Sequence, residues 1–269
     1  VPQTVFITGA STGIGRAAVL HFRDKGWNVA ATMRKPSDHA DLVSDRVITL
    51  PLDVTKTSTV GPALNQTIKA FGQVDVLVNN AGYGTFGPFE AASDEQIERQ
   101  YSTNVTGLMY VTRAFLPHFR ERKSGVIINI SSVGGRATFP LYSLYHGTKW
   151  AVEGFSESLN FELDPFGIRV KLVEPGAIKT DFTTRSLDVL KKDGLDAYDD
   201  FVRRFRENWA AGRSSSSPEL VAEVIYQAAT DGTPQLRYTA GEDAKMIIDT
   251  RAKISQDDYY AMIRKRLGL

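Results

Sequence analysis

Short apolar runs rich in β-branched residues recur along the chain, over 5–7, 29–32, 47–50, 76–79, 126–130 and 170–173. Each run is brief and nearly continuous, the pattern of strands covered on both faces of a parallel sheet. Between them, apolar positions return at helical spacing over 14–25, 58–71, 95–116 and 149–163. Ser93-Asp94-Glu95-Gln96 reads as a capping box, since the Ser93 hydroxyl and the Gln96 amide can each satisfy a backbone donor that a helix start leaves orphaned. Strand–helix alternation of this kind predicts an α/β architecture, a doubly wound parallel sheet with right-handed crossovers.

The pattern changes after Asp181. The stretch 181–212 predicts no strand, and Tyr198, Phe201, Val202, Phe205 and Trp209 recur at helical spacing to give one aromatic face. Such a face suits either a lid over a substrate or a helix packed on the core or on a partner. Ser214–217 make a polar break, and Ser217-Pro218-Glu219 starts another helix, with serine as cap and proline in the first turn. A last short strand is expected over 236–239, and 255–267 ends in a basic helical turn.

Composition narrows the class. The 269 residues are 42% hydrophobic and 10% aromatic, enough to bury a sizeable core. Lys and Arg total 32 against 31 acids, a net charge of +1 with no long basic run, which argues against nucleic acid as a partner. There are no cysteines, and the four histidines stand singly, so neither thiol chemistry nor a metal site is expected. No apolar run approaches a membrane-spanning length, and no signal-peptide pattern precedes the first strand. A cytoplasmic protein is the expectation.

The first strand runs into Thr8-Gly9-Ala10-Ser11-Thr12-Gly13-Ile14-Gly15 and then an apolar helix. A glycine-rich turn there aims free backbone N–H groups and the positive helix end at an anion; the lesser alternative is a purely structural turn. The second strand ends in Met33-Arg34-Lys35, with no acid. A carboxylate at that place suits the ribose of NAD, whereas Arg34 can bind a 2′-phosphate bidentately, so NADP(H) is favoured over NAD(H). The plain alternative is a solvated surface pair. Tyr145 and Lys149 lie four residues apart at a helix start, on one face, where an ammonium can favour the phenolate of a weakly acidic tyrosine. Ser132 stands just past the strand 126–130, at the sheet edge where ligands bind in open α/β folds. Asn79-Asn80-Ala81-Gly82 leaves the fourth strand at the same edge, and Asn104 sits within the following helix.

Together these motifs resemble the short-chain dehydrogenase/reductase family over nearly the whole chain. Residues 8–15 match its Thr-Gly-x-x-x-Gly-x-Gly turn, Asp53-Val54 its adenine-contacting pair, and Asn79-Asn80-Ala81-Gly82 its Asn-Asn-Ala-Gly. Asn104, Ser132, Tyr145 and Lys149 fall on its catalytic tetrad, and Pro175-Gly176-Ala177-Ile178-Lys179-Thr180 on the segment that holds the nicotinamide carboxamide. Gly147 and Thr148 depart from the usual Ala-Ser, and no basic residue precedes Gly13. The resemblance implies one Rossmann-type, three-layer α/β/α domain over 1–269 with a helical substrate lid near 181–216. It implies cofactor contacts from Gly9, Ser11, Thr12, Gly13, Ile14, Gly15, Arg34, Asp53, Val54, Asn80, Ala81, Gly82, Tyr145, Lys149, Pro175, Gly176, Ile178 and Thr180. It further implies a homodimer or homotetramer acting on a small-molecule carbonyl or alcohol.

Val173-Glu174-Pro175-Gly176 and Glu153-Gly154-Phe155-Ser156-Glu157-Ser158-Leu159 are similar to the branch containing 17β-hydroxysteroid and retinol dehydrogenases, which makes a bulky apolar substrate the expectation. Two other readings stay open: a non-catalytic NADP(H)-binding sensor, and an NAD(H)-preferring alcohol or hydroxysteroid dehydrogenase. A serine hydrolase is excluded by the lack of a Gly-x-Ser-x-Gly elbow.

Overall fold

The computed structural model describes residues 2–179, 186–209 and 215–268. Thr180, part of the carboxamide segment, lies outside the described residues, as do the side chain of Trp209 and the start of the expected lid. The strands are β1 (Thr4–Thr8), β2 (Asn28–Met33), β3 (Val47–Pro51), β4 (Val76–Asn79), β5 (Gly84–Phe86), β6 (Gly125–Ile130), β7 (Ile168–Pro175), β8 (Leu187–Val189) and β9 (Arg237–Ala240). The helices are α1 (Gly13–Asp24), α2 (Val60–Phe71), α3 (Asp94–Tyr101), α4 (Leu108–Arg122), α5 (Ser143–Leu163), α6 (Asp199–Trp209), α7 (Pro218–Thr230), α8 (Glu242–Lys253) and α9 (Gln256–Arg266).

Seven strands form one parallel sheet in the order β3-β2-β1-β4-β6-β7-β9. Successive side chains alternate between its faces, and both faces are covered. Val5, Ile7, Val76, Val78 and Ile128 pack against Ala18, Val19 and Phe22 of α1 and Val221 and Ile225 of α7. Phe6, Leu77, Ile127 and Val170 face the other way, onto α2, α4 and α5 through Leu64, Phe115, Phe119 and Leu159. This two-sided burial is why the strands read as continuous apolar runs. Strand order reverses between β1 and β4, so a crevice opens at their carboxyl ends.

Three expectations need correction. First, 181–212 does contain a strand: β8 pairs in parallel with β5. Its three residues carry no apolar run; Asp188, between them, is gripped by Arg99 and by Gln96 at 2.9 Å. Second, the single helix expected over 95–116 is two, α3 and α4, joined by a wider π-helical turn over Ser102–Gly107. A Cβ on Gly107 would lie 2.8 Å from the Ser102 carbonyl and 3.0 Å from Val54 Cγ2, so glycine is what lets this turn pack close. Beyond Pro117, where the sequence pattern ends, α4 runs on to Arg122 because Phe119 is anchored in the core. Third, α8 has no counterpart in the sequence reading. The Ser93–Gln96 capping box and the Ser217 cap form as expected.

Candidate active site

The glycine-rich turn is locked onto the end of β4. The Thr8 hydroxyl accepts from the Asn80 and Ala81 N–H groups at 3.0 and 3.1 Å, and Asn80 Nδ2 donates to the carbonyls of Thr8 and Gly9 at 2.9 and 3.0 Å. Gly9 sits at φ +66°, and a Cβ there would come within 2.7 Å of Ala81 Cα. On Gly15 a Cβ would lie 2.4 Å from the Gly9 carbonyl, so the turn tolerates no side chain at either glycine. Thr12 caps α1 in extended conformation without a side-chain bond to the helix, leaving first-turn N–H groups that can meet an anion. Ser11, Thr12, Gly13 and Ile14 are half-buried around it. This cradle fits the pyrophosphate of a dinucleotide.

The neighbouring strand ends carry the other residues expected to meet a cofactor. Ala10 N–H donates to the Thr32 carbonyl at 3.0 Å, which draws the turn against the end of β2, where Arg34 is exposed. Past β3, the Asp53 carboxylate accepts from Thr55 N–H and hydroxyl at 3.1 and 2.7 Å, while Val54 is buried beside Gly107. Gly82 follows Ala81 at the surface. Beyond β7, Gly176 N–H donates to the Ala240 carbonyl (3.1 Å) and Ala177 N–H to Asp243 Oδ2 (2.7 Å). A Cβ on Gly176 would sit 2.4 Å from that buried carboxylate. Ile178 bridges in parallel to Ser216, which clips the far end of the expected lid to this segment.

Ser132, at the end of β6, accepts from Gly134 N–H at 3.0 Å and hydrogen-bonds the Tyr145 phenol. Tyr145 lies in the first turn of α5, since that helix starts at Ser143 rather than at Lys149. Dense packing pushes its phenol up to about 12, although the Ser132 hydrogen bond pulls the other way. Lys149 Nζ lies 5.7 Å from the Tyr145 ring centroid and donates to the Ile130 carbonyl at 2.8 Å. Burial lowers its ammonium to about 8, against the pull of the Glu153 carboxylate. The expected lowering of the phenol by Lys149 is not found here: desolvation dominates, and the downward pull comes from Ser132. The result is a protonated tyrosine at neutral pH, the state a proton donor needs.

Asn104 owes its position to the wide turn between α3 and α4. Its Nδ2 donates to the Tyr83 carbonyl at 2.8 Å and to Thr148 Oγ1 at 3.2 Å, and its Oδ1 accepts from Tyr83 N–H at 3.1 Å. Its side chain is therefore held in place by Tyr83 and Thr148. The two departures from the family pattern have local reasons. A Cβ on Gly147 would lie 2.5 Å from the Tyr101 hydroxyl, and Thr148 supplies the oxygen that meets Asn104.

Sequence reasoning missed several supports. Tyr83 acts through its backbone, which no residue type announces. His146 read as an isolated histidine, yet its Nδ1–H donates to the Gly134 carbonyl at 2.8 Å and its Nε2 accepts from Phe139 N–H at 2.9 Å. Burial lowers its pKa, so the neutral ring staples the Ser132 turn to α5. Its place next to Tyr145 was the only hint.

A cavity of about 410 Å³ lies beside the site, lined among others by Phe86, Leu190, Tyr198, Val202 and Arg206. Tyr145 does not line it. Phe86 stands between, its ring 5.1 Å from that of Tyr142, which in turn is 6.4 Å from that of Tyr145. Phe205 of α6 packs on Phe86 at 5.7 Å. Among the described residues no helix is long and apolar enough to cross a membrane.

Comparison with known proteins agrees with this geometry. Residues 3–189 match the short chain dehydrogenase family. An uncharacterized oxidoreductase of Schizosaccharomyces pombe is 38% identical over 88% of this chain and 100% of its own length. A 3-ketodihydrosphingosine reductase of Bacteroides thetaiotaomicron is 37% identical over 89% of this chain and 88% of its own. The crystal structure of a short-chain dehydrogenase from Streptomyces avermitilis superposes with a TM-score of 0.84 at 33% identity, covering 98% of this chain and 96% of that one. Two further similar structures, each 28% identical, hold NADP (ElxO; TM-score 0.73, covering 89% of this chain and 98% of that one) and NADH (a 3-ketoacyl-(acyl-carrier-protein) reductase of Brucella melitensis; TM-score 0.74, covering 90% and 98%). At these identities and over this span, the chain belongs to the short-chain dehydrogenases, NAD(P)-dependent oxidoreductases acting on CH–OH groups.

Proposed function

We propose that the protein is a carbonyl reductase that uses NADP(H) to interconvert a bulky, largely apolar ketone or aldehyde and its alcohol. The observation that carries this reading is the Ser132–Tyr145 hydrogen bond, with Lys149 one helical turn away, at the sheet edge that also carries the glycine-rich cradle. When bound, the cofactor supplies the hydride. Ser132 holds the carbonyl oxygen, and Tyr145 delivers its phenolic proton to that oxygen as charge develops there. Lys149 binds the nicotinamide ribose and steadies the phenolate that Tyr145 becomes. Asn104 holds the proton path behind Lys149, and Ile178 and Thr180 orient the carboxamide.

Arg34, exposed beside the turn with no acid next to it, supports NADP(H) over NAD(H). Phe86, Leu190 and Val202 in the wall of the 410 Å³ cavity support a bulky substrate, with α6 as part of the lid. The name of the Bacteroides relative supports a ketone. Trp150 and Phe161 on α5, 49% and 75% exposed, support a homodimer or homotetramer formed through that helix.

Oxidation of NADPH and NADH over a panel of aliphatic, aromatic, steroid and retinoid carbonyls tests the reading, with Tyr145→Phe as control. Turnover should prefer NADPH and grow with apolar bulk. It should fall by about two to four decades in the variant, the usual worth of a general acid, with NADPH affinity unchanged. Tight cofactor binding without turnover in either direction would favour a non-catalytic sensor instead.

A further inference from the structure

Behind the site lies a group of buried charges that the chemistry above does not use. Glu153 and Glu174 have side chains only 6% and 1% exposed. Both face the Arg237 guanidinium, whose Nε lies 3.0 Å from Glu153 Oε2 and 3.5 Å from Glu174 Oε1. Arg237 also binds Glu157 at 2.5 Å, and Arg136 reaches Glu174 Oε1 at 3.1 Å. Two buried carboxylates this close repel each other unless a cation lies between them, and Arg237 is that cation.

The three partners belong to three separate elements. Glu153 is on α5, one turn beyond Lys149 and two beyond Tyr145. Glu174 is the residue before Pro175-Gly176 on β7. Arg237 comes from β9, where it is in register with Leu172 of β7. A Cβ on Gly135, in the turn after Ser132, would lie 2.8 Å from Ser131 Oγ, 2.9 Å from Glu153 Cγ and 3.2 Å from the Lys149 carbonyl, so the serine turn packs against the same helical turn. The other Glu153 oxygen, Oε1, is buried with no hydrogen-bond partner.

We propose that Arg237 is a positioning residue for the reaction: through Glu153 and Glu174 it clamps the helix carrying Tyr145 and Lys149 to the strand that leads into the Pro175-Gly176 segment. The proposal rests on the roles assigned above to Tyr145 and Lys149. The clamp also sets the charge that Lys149 experiences. The charged groups around Glu153 are Lys149 and Glu157 on its own helix, Glu174 on β7, Arg237 on β9 and Arg136 from the loop after β6. Arg237 holds Glu153 at 3.0 Å, and the Glu153 carboxylate supports the Lys149 ammonium against burial. Without it, desolvation and repulsion from Glu153, which already push Glu174 up, act on Glu174 with one cation fewer to oppose them. The Glu153 charge then acts on Lys149 with no guanidinium to offset it.

The test compares Arg237→Met, Arg237→Lys and Glu153→Gln with the wild type. The first readout needs neither cofactor nor turnover: competitive acetylation of Lys149 across pH, followed on its peptide by mass spectrometry. Glu153→Gln should lower the midpoint by on the order of one pH unit, as expected for a charge a helical turn away at intermediate dielectric, and Arg237→Met should raise it, since the Glu153 charge is then no longer offset. In the reductase assay, kcat in Arg237→Met should fall about tenfold while NADPH affinity changes less than about threefold, and Arg237→Lys should recover most of the loss. Glu153→Gln, which keeps an acceptor for Arg237, carries the test if Arg237→Met does not fold. A lower melting temperature with an unmoved Lys149 midpoint and unchanged kcat would overturn the proposal and leave Arg237 a purely structural residue. A wild type inactive on every carbonyl would overturn the reductase reading alone, since the acetylation midpoints are read without substrate.

Discussion

Two lysines packed against the same sheet, both lowered by desolvation, are satisfied to different degrees. Lys171, on β7, has a side chain 2% exposed and three partners for its ammonium: Asp231 Oδ1 at 3.0 Å, the Thr233 carbonyl at 2.8 Å and the Tyr238 hydroxyl at 2.6 Å. Asp231 is itself saturated. Burial opposes its ionisation, but hydrogen bonds from Tyr238, Thr233 and Lys171 prevail and hold it at about 2. Lys149 has one carbonyl at 2.8 Å and the field of Glu153, and it falls to about 8. A buried cation whose donors are all taken up is a structural pin. One left short of partners can change protonation near neutral pH and has donors to spare for a ligand. The difference lies in the completeness of the shell.

Exchanging each lysine for methionine would test that contrast most severely. Lys149→Met should cost about two to four decades in kcat, as loss of an acid–base partner does, while thermal stability holds or rises because a poorly compensated charge has gone. Lys171→Met should do the reverse. It leaves Asp231 without its buried cation and should cost about 3–5 kcal/mol in urea unfolding, with kcat per folded molecule unchanged. Parallel losses of stability and activity in both variants would remove the distinction.

Acid titration probes the saturated shell with a smaller effect. A carboxyl at about 2 in the fold and 3.8 in the unfolded chain stabilises fully above 3.8 and loses that contribution as pH falls towards 2. Melting temperatures followed down in pH should therefore drop across this window in the wild type and more shallowly in Asp231→Asn. The smallest effect concerns Lys149 in alkali. Its ammonium is present below about 8 and lost above, so carbonyl reduction should decline there. Because its folded value lies below the unfolded 10.5, the unfolded chain holds the proton longer, and the Lys149 contribution to stability should grow between about 8 and 10.5. Activity and the Lys149 part of stability should thus move in opposite directions, which rate and melting curves on the same buffers would show.

Much of the fold was legible from local pattern. The strand at 76–79 was placed to the residue, and the Ser93 and Ser217 caps formed as read. The same reading failed where a partner, not the segment itself, makes the structure. Leu187-Asp188-Val189 is a strand because Gly84–Phe86 runs beside it. The turn over Ser102–Gly107 widens because Gly107 meets Val54. At the site, the motif residues were all named beforehand, but their supports were not: Tyr83 works through its peptide group and His146 through two backbone partners.

By itself, the sequence determined the parallel sheet, the glycine turn at its edge and the spacing that brings Tyr145 and Lys149 onto one helical face. These follow from the period of side chains along a strand or helix and from the steric freedom of glycine, all of which act within a few residues. Only the tertiary structure decided which lysine is saturated and which is left titratable, and that Arg237 meets Glu153 across 84 residues of chain. Such meetings depend on strand order and crossovers, and the worth of a charge depends on the water that the assembled fold removes from it.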